Sequence, residues 1–240
     1  MRRKSFSEVR QAPNGGRAMT LRVAVVTKGH PFDAEAFFAV FEDMDGIDWT
    51  HVEHPEALDL VRPERAVEFD VFVMYDMPGI TFTRGEPPAE FPDPPPGYAA
   101  AFDGIDHPDS GYRHDVTHTV EVLDPTHPIC AGIDPTFTIT DEVYLFSVLE
   151  ADVTPLMRST HDFNDTNFYS ADLAIRGTRN SNDGWHHPPG SNLVAWTKMV
   201  GASPIAYLQF GDGPQTYADP TYRRILANAV AWAALDPPVT

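Results

Sequence analysis

"LRVAVVTKGHPFDAEAFFAVFEDM", residues 21–44, changes its hydrophobic period partway along, and the fold reading turns on that change. Val23, Val25 and Val26 form a short β-branched run that ends at Gly29-His30, which predicts a strand. From Pro31 onward the spacing is helical, with Phe37, Phe41 and Met44 on one face and Asp33 placed to cap the helix. Outward from there, "IDWTHVEH" (47–54) has strand character and "ALDLVRPERAVEF" (57–69) reads as a helix interrupted near Pro63. "DVFVMYDM" (70–77) follows as a third, continuously apolar strand. Three strands separated by two helical stretches predict parallel βαβ units and an α/β domain. Ligands of such sheets collect outside the carboxyl ends of the strands, where His30 and Asp76 fall.

The chain has 240 residues, is 42% hydrophobic and shows no low-complexity linker, so a single domain over 21–236 is expected. Its first twenty residues, "MRRKSFSEVRQAPNGGRAMT", carry positive charge but lack the apolar core of about 7 to 15 residues that a secretory signal needs. Residues 1–20 therefore read as a disordered leader. With 17 basic and 35 acidic residues the formal net charge is -18, which repels nucleic acid and anionic membrane surfaces. No apolar run approaches the roughly 20 residues that span a bilayer, so a soluble protein is expected. The single cysteine, Cys130, permits neither an intrachain disulfide nor a cysteine-based zinc cluster, which fits a reducing, cytoplasmic setting. Homo-oligomerisation is left open.

Regularity fails over residues 78–115, a proline-rich stretch with no convincing strand followed by a helix. A stretch of that length is expected to be a functional loop or partly disordered. Beyond it, "THTVEVL" (117–123) alternates like a strand, "DPTHPICAGI" (124–133) is a turn, and "FTITDEVYLF" (137–146) returns to β character. "LVAWTKMVGASPIAYLQFG" (193–211) reads as two strands joined at Gly201-Ala202-Ser203. The last element is the clearest: Asp219 caps, Pro220 takes the first helical position, and Tyr222, Ile225, Leu226, Ala229 and Ala233 form an apolar stripe.

Three stretches, "VAVVTKGHPFDAEAFFAVF" (23–41), "HPICAGIDPTFTITDEVYLF" (127–146) and "PIAYLQFGDGPQTYADPTYRRILANAVAWAA" (204–234), in this order and spacing, resemble the trehalose-utilisation, ThuA-like family. The likeness covers most of residues 21–235, and its domain is related to class I glutamine amidotransferases. It implies a flavodoxin-like, three-layer α/β fold with a mostly parallel central sheet, and a role in carbohydrate catabolism. One departure stands out. The resemblance implies a further strand with a histidine-containing end after the third strand and its loop, and nothing in 78–115 matches it.

Amidotransferase chemistry needs a cysteine thiolate on a sharp strand-to-helix turn, activated by a histidine. Cys130 lies instead in "HPICAGI", between Pro128 and Gly132, and reads as a small buried hydrophobe. A serine hydrolase fares no better, because no Gly-x-Ser-x-Gly elbow occurs.

Histidines and carboxylates remain. His30 at the end of the first strand, His114 in "SGYRHD" and Glu142 in "TDEVY" are the candidate catalytic groups. A histidine serves as base or metal ligand near neutral pH, and a carboxylate fixes its tautomer or supplies a second acid. Such groups suit enolisation or elimination beside a carbonyl, the chemistry of oxidised sugars. Asp76, Asn182, Trp185, His186, His187 and Asp212 are the candidate substrate-binding residues. In "NSNDGWHHPPGSN" (180–192) two prolines restrict the loop, Trp185 is suited to stack on a sugar ring, and Asn182, His186 and His187 to bond its hydroxyls. The alternative for this loop is that Trp185 pins it to the core while both histidines stay solvated.

No cofactor is assigned. Adjacent His186 and His187 are not an i, i+4 pair and no HExxH occurs, so a divalent metal would need ligands converging from separate loops. Two functional classes stay open: an enzyme of disaccharide or keto-glycoside catabolism, acting as isomerase, lyase or hydrolase without a cysteine nucleophile, and a non-catalytic sugar-binding or protein-interaction module. The enzyme requires a histidine within hydrogen-bond reach of a carboxylate, whereas the module requires only aromatics and amides.

Overall fold

The computed structural model describes residues 20–77, 80–81, 89–90 and 110–235, which fall into two compact units, 20–81 with 89–90 and 110–235. The leader expected at 1–20 lies outside the described residues except for its last position, as does residue 236. Of the stretch 78–115, only the two-stranded pair β4 (Ile80–Thr81) and β5 (Ala89–Glu90) and residues 110–115 are described. The question of a missing central strand there falls mostly outside them.

The first unit is built as its period change predicts. β1 (Leu21–Lys28) runs between β2 (Ile47–Glu53) and β3 (Val71–Asp76), parallel to both. Val23, Val25 and Val26 are fully buried, as is Ala24 between them, which is why this central strand is a continuous apolar run rather than an alternating one. Each such valine contributes about 1.5–3 kcal/mol relative to exposure. α1 (Ala34–Glu42) is capped by Asp33, whose Oδ1 accepts from the Ala36 N–H at 3.0 Å. It buries Phe37, Val40 and Phe41, with the Phe37 ring stacked 4.3 Å from Tyr75 of β3 and Phe38 stacked on Trp49 of β2. The predicted break near Pro63 separates α2 (Ala57–Leu60) from α3 (Pro63–Ala66). At the carboxyl end of β1, Gly29 adopts φ +98°, and a Cβ there would lie 2.2 Å from the Met77 carbonyl oxygen. Only glycine lets β1 and β3 close up at this edge.

The second unit corrects the fold expected from the resemblance. Its sheet is antiparallel throughout, not a mostly parallel, flavodoxin-like layer. The strands are β6 (Gly111–Val122), β7 (Thr136–Leu145), β8 (Thr154–Ser159), β9 (Tyr169–Ser170), β10 (Leu193–Val200) and β11 (Ser203–Leu208), ordered β11-β10-β8-β6-β7 with β9 beside β6. The physical reason is the connections. A parallel pair needs a crossover of a dozen or more residues, usually an α-helix, whereas the 13 residues between β6 and β7 hold only a 3₁₀ turn at Pro128–Cys130, and β10 turns into β11 at Gly201-Ala202. Among the described residues, parallel order is confined to the three strands of the first unit.

Of the helices in the second unit, α4 (Ala171–Ile175) follows β9, and α5 (Pro214–Ala218) and α6 (Pro220–Ala233) come after β11. Asp219 caps α6 by accepting from Thr221 and Tyr222 N–H at 2.7 and 3.0 Å, and Tyr222, Ile225, Leu226, Ala229 and Val230 are its buried face. Asn228 ties α6 to the β6–β7 turn by donating to the Ile129 and Ala131 carbonyls. The segment after β11 then crosses to the far edge of the sheet. Gln209 Nε2 donates to the Tyr144 carbonyl of β7 at 3.1 Å, and the Gly211 N–H donates to Asp141 at 2.7 Å. The two end strands are thereby brought together, so the sheet curls on itself.

Candidate active site

The edge where the sheet closes carries the densest set of titratable groups among the described residues. Along β6 and β7 the register runs Tyr112 to Tyr144 and Arg113 to Val143, then resumes at Val116 and Asp141. His114 and Asp115 thus oppose Glu142 alone, a β-bulge, and Asp115 takes the left-handed conformation at φ 54° that the extra residue requires. His114 Nδ1 lies 3.2 Å from Glu142 Oε1, with the imidazole 54% exposed and the carboxyl 8% exposed.

Alternation along β7 separates two neighbouring acids. Asp141 shares the core face with Ile139 and Val143, while Glu142 faces His114 together with Tyr144. Tyr144 donates its hydroxyl to Glu142 Oε2 at 2.7 Å and also lies 3.3 Å from Asp212 Oδ1. Asp212 is delivered from the segment after β11 by Asp141, which accepts backbone N–H groups from Glu142, Gly211 and Asp212 at 2.9, 2.7 and 3.2 Å. Gly211 turns at φ +118° under the Tyr222 ring, where a Cβ would come within 2.8 Å of the tyrosine oxygen.

Burial, and then the charge of Asp212, push Glu142 up to about 8, against the lowering effect of the Tyr144 hydroxyl. Burial likewise lifts Asp141 to about 6 although three backbone N–H groups favour its charged form. Glu142 is therefore a protonated acid at neutral pH, set beside an exposed imidazole. His114, Glu142 and Asp212 each offer one ligand atom, all within 4.8 Å of one another. One imidazole nitrogen and two carboxylates are also a set that a divalent cation accepts.

The other sequence candidates lie elsewhere. Loop 180–192 is held by its own contacts: Trp185 covers Gly111 so closely that a Cβ there would sit 2.6 Å from the indole, and the Asn182 carbonyl accepts the Trp185 N–H. His187 is buried, with its N–H on Asp165 and Nδ1 2.6 Å from the Pro188 carbonyl. His186 is 90% exposed and 3.5 Å from Asp165. Neither histidine joins the group around Glu142. In the first unit, His30 packs its ring 4.8 Å from Tyr75, and Asp76 bonds His54, which sequence reasoning passed over.

Asp141 and Tyr144 were also missed, although both stand in the "TDEVY" stretch that singled out Glu142. Period-2 alternation would have placed Tyr144 beside Glu142; nothing in the sequence marks an aspartate as buried. Cys130 is buried, and burial pushes its thiol up to about 11, so it stays protonated at neutral pH.

A family model described as trehalose utilisation, ThuA, matches residues 66–233. No curated protein matches the chain. A ThuA-like protein of Parabacteroides merdae superposes with a TM-score of 0.54 at 10% identity, over 89% of this chain and 90% of the other. A second, from Bacteroides uniformis, gives 0.56 at 15% identity over 93% and 95%. At these identities the likeness is one of fold. No described helix is long and apolar enough to cross a membrane.

Proposed function

Because the chain belongs to the ThuA family of trehalose utilisation, we propose that it acts on a carbohydrate, a disaccharide or its keto form, by proton transfer at His114 and Glu142. The observation that carries this reading is the 3.2 Å pairing of an exposed imidazole with a buried carboxyl that keeps its proton near neutral pH. A proton acceptor beside a proton donor is what acid–base catalysis requires. On a keto sugar, His114 takes the proton from the carbon beside the carbonyl while Glu142 gives its proton to the carbonyl oxygen, leaving an enediol. The His114 imidazolium then protonates the former carbonyl carbon while Glu142 takes the proton of the other enol hydroxyl, completing an isomerisation, or it protonates a departing β-alkoxy group while Glu142 takes its own proton back, completing an elimination. Asp212 and Tyr144 flank the pair and are placed to bond sugar hydroxyls.

The test is incubation of the purified protein with trehalose, related disaccharides and their 3-keto forms, with and without a chelator, beside Glu142→Gln. Turnover that Glu142→Gln abolishes supports the reading. Absence of turnover, together with no thermal shift by any of these sugars, overturns it. Loss of turnover on chelation alone would make the three ligand atoms a cation site.

A further inference from the structure

A second imidazole–carboxylate pair lies in the first unit, at the carboxyl end of its parallel sheet. His54 immediately follows β2, Asp76 closes β3, and Lys28 of β1 runs between them in register with Asp76. His54 Nε2 is 2.7 Å from Asp76 Oδ2, and their side chains are 9% and 5% exposed. With Asp76 ionised, Nε2 carries the hydrogen and donates it, which fixes the tautomer and leaves the basic lone pair on Nδ1. No hydrogen-bond partner takes Nδ1 among the described residues.

A pair that only tied strand ends together would need no surrounding chemistry, but this rim has it. The His30 ring stands over Tyr75, and Thr27 bonds His51 Nε2 at 2.8 Å. The one lysine here, Lys28, is neutralised by Glu53 at 3.1 Å, so the rim offers hydrogen bonds rather than net positive charge. That suits a neutral, hydroxyl-bearing ligand better than an anion. Open parallel sheets bind their ligands at this edge.

We propose that His54 and Asp76 form a second proton-transfer pair, with His54 Nδ1 as a base toward a ligand hydroxyl and Asp76 as the residue that positions it. The hydroxyl O–H breaks, the Nδ1–H bond forms, and the imidazolium facing Asp76 later returns the same proton to the oxygen. The sugar class of the ligand rests on the function proposed above; the assignment of Nδ1 as the base does not.

The full chain is treated with diethyl pyrocarbonate at pH 7, and labelling of His54 is read by peptide mass spectrometry with exposed His186 as reference. Labelling of His54, slowed about tenfold by saturating trehalose, is expected of a base at a ligand site. His54 left unlabelled while His186 reacts overturns the proposal. Asp76→Asn, which no longer holds Nδ1 as the basic nitrogen, lowers the labelling rate of His54 about tenfold, and Asp76→Glu restores part of it. An unchanged labelling rate in Asp76→Asn overturns the proposal too. If no sugar is turned over, the proposed function falls and the labelling alone decides this one.

Discussion

His114 and Glu142 face one another across β6 and β7 because the register carries the two residues opposite each other where the bulge begins. The extra residue, Asp115, interrupts the ladder beside them, so the imidazole stays exposed while its carboxyl partner stays buried. A pair of unequal exposure is the useful product, since burial raises the acid without desolvating the base.

Glu142→Gln keeps the volume and an acceptor for the Tyr144 hydroxyl but cannot give a proton. Turnover should fall by about 10²–10⁴ while the thermal midpoint holds or rises. Steady-state kinetics beside a melting curve check this, and a drop in both would mean that Glu142 serves the fold.

Stability should depend on pH through the same carboxyl. The folded chain keeps the Glu142 proton up to about pH 8, whereas the unfolded chain releases it near the ordinary value of 4.5. The native state binds more protons between these values, so this contribution is complete below the unfolded value and is lost as pH rises through the folded one. Asp141, held up to about 6, adds the same sign over a narrower window. Denaturation midpoints at pH 5 and pH 8 should show the wild type losing stability relative to Glu142→Gln, by on the order of 2–4 kcal/mol. An equal gap at both values contradicts it.

How far the sequence could be read follows from where each signal lies. The switch of period at Val26–Phe37 and the Asp219-Pro220 cap are local, and both elements form where expected. The antiparallel order of the second unit is not local. β6 begins at Gly111, inside a stretch that looked irregular, because the bulge at His114 and Asp115 breaks the alternation that would reveal a strand. Glu142 could be picked out from "TDEVY", but its nearness to Asp212 depends on Asp141 accepting bonds from residues about 70 positions away. His54 and Asp76 meet only because both strands flank β1.

Asp141→Ala strips the acceptor from three backbone N–H groups at once. Since an unsatisfied buried donor costs about 1–3 kcal/mol, the loss should be about 3 kcal/mol or more. Amide exchange at Gly211 and Asp212 should accelerate more than in α6. Unchanged exchange there would show that the sheet edge closes without Asp141.

Gly29→Ala places a methyl 2.2 Å from the Met77 carbonyl oxygen at a φ of +98°. Strain and displacement together should cost about 2–4 kcal/mol, read as a lower denaturation midpoint. A neutral effect would mean that the end of β3 gives way freely.

Asp212→Asn separates the two causes that raise Glu142. Burial is the larger and remains; the negative charge of Asp212 is the next and is removed, while Asn still accepts from Tyr144. The Glu142 titration therefore moves down toward the ordinary carboxyl range without reaching it. If the protonated form is the one that works, the alkaline limb of the kcat profile shifts to lower pH by the same step. The pH at which the folded state gives up its extra proton also falls, so the stability lost between pH 5 and 8 shrinks. The two readouts share one group and must move together. An alkaline limb that shifts while the stability profile does not would assign that limb to another acid, and a limb that rises would mean that Asp212 does not hold the Glu142 acid up.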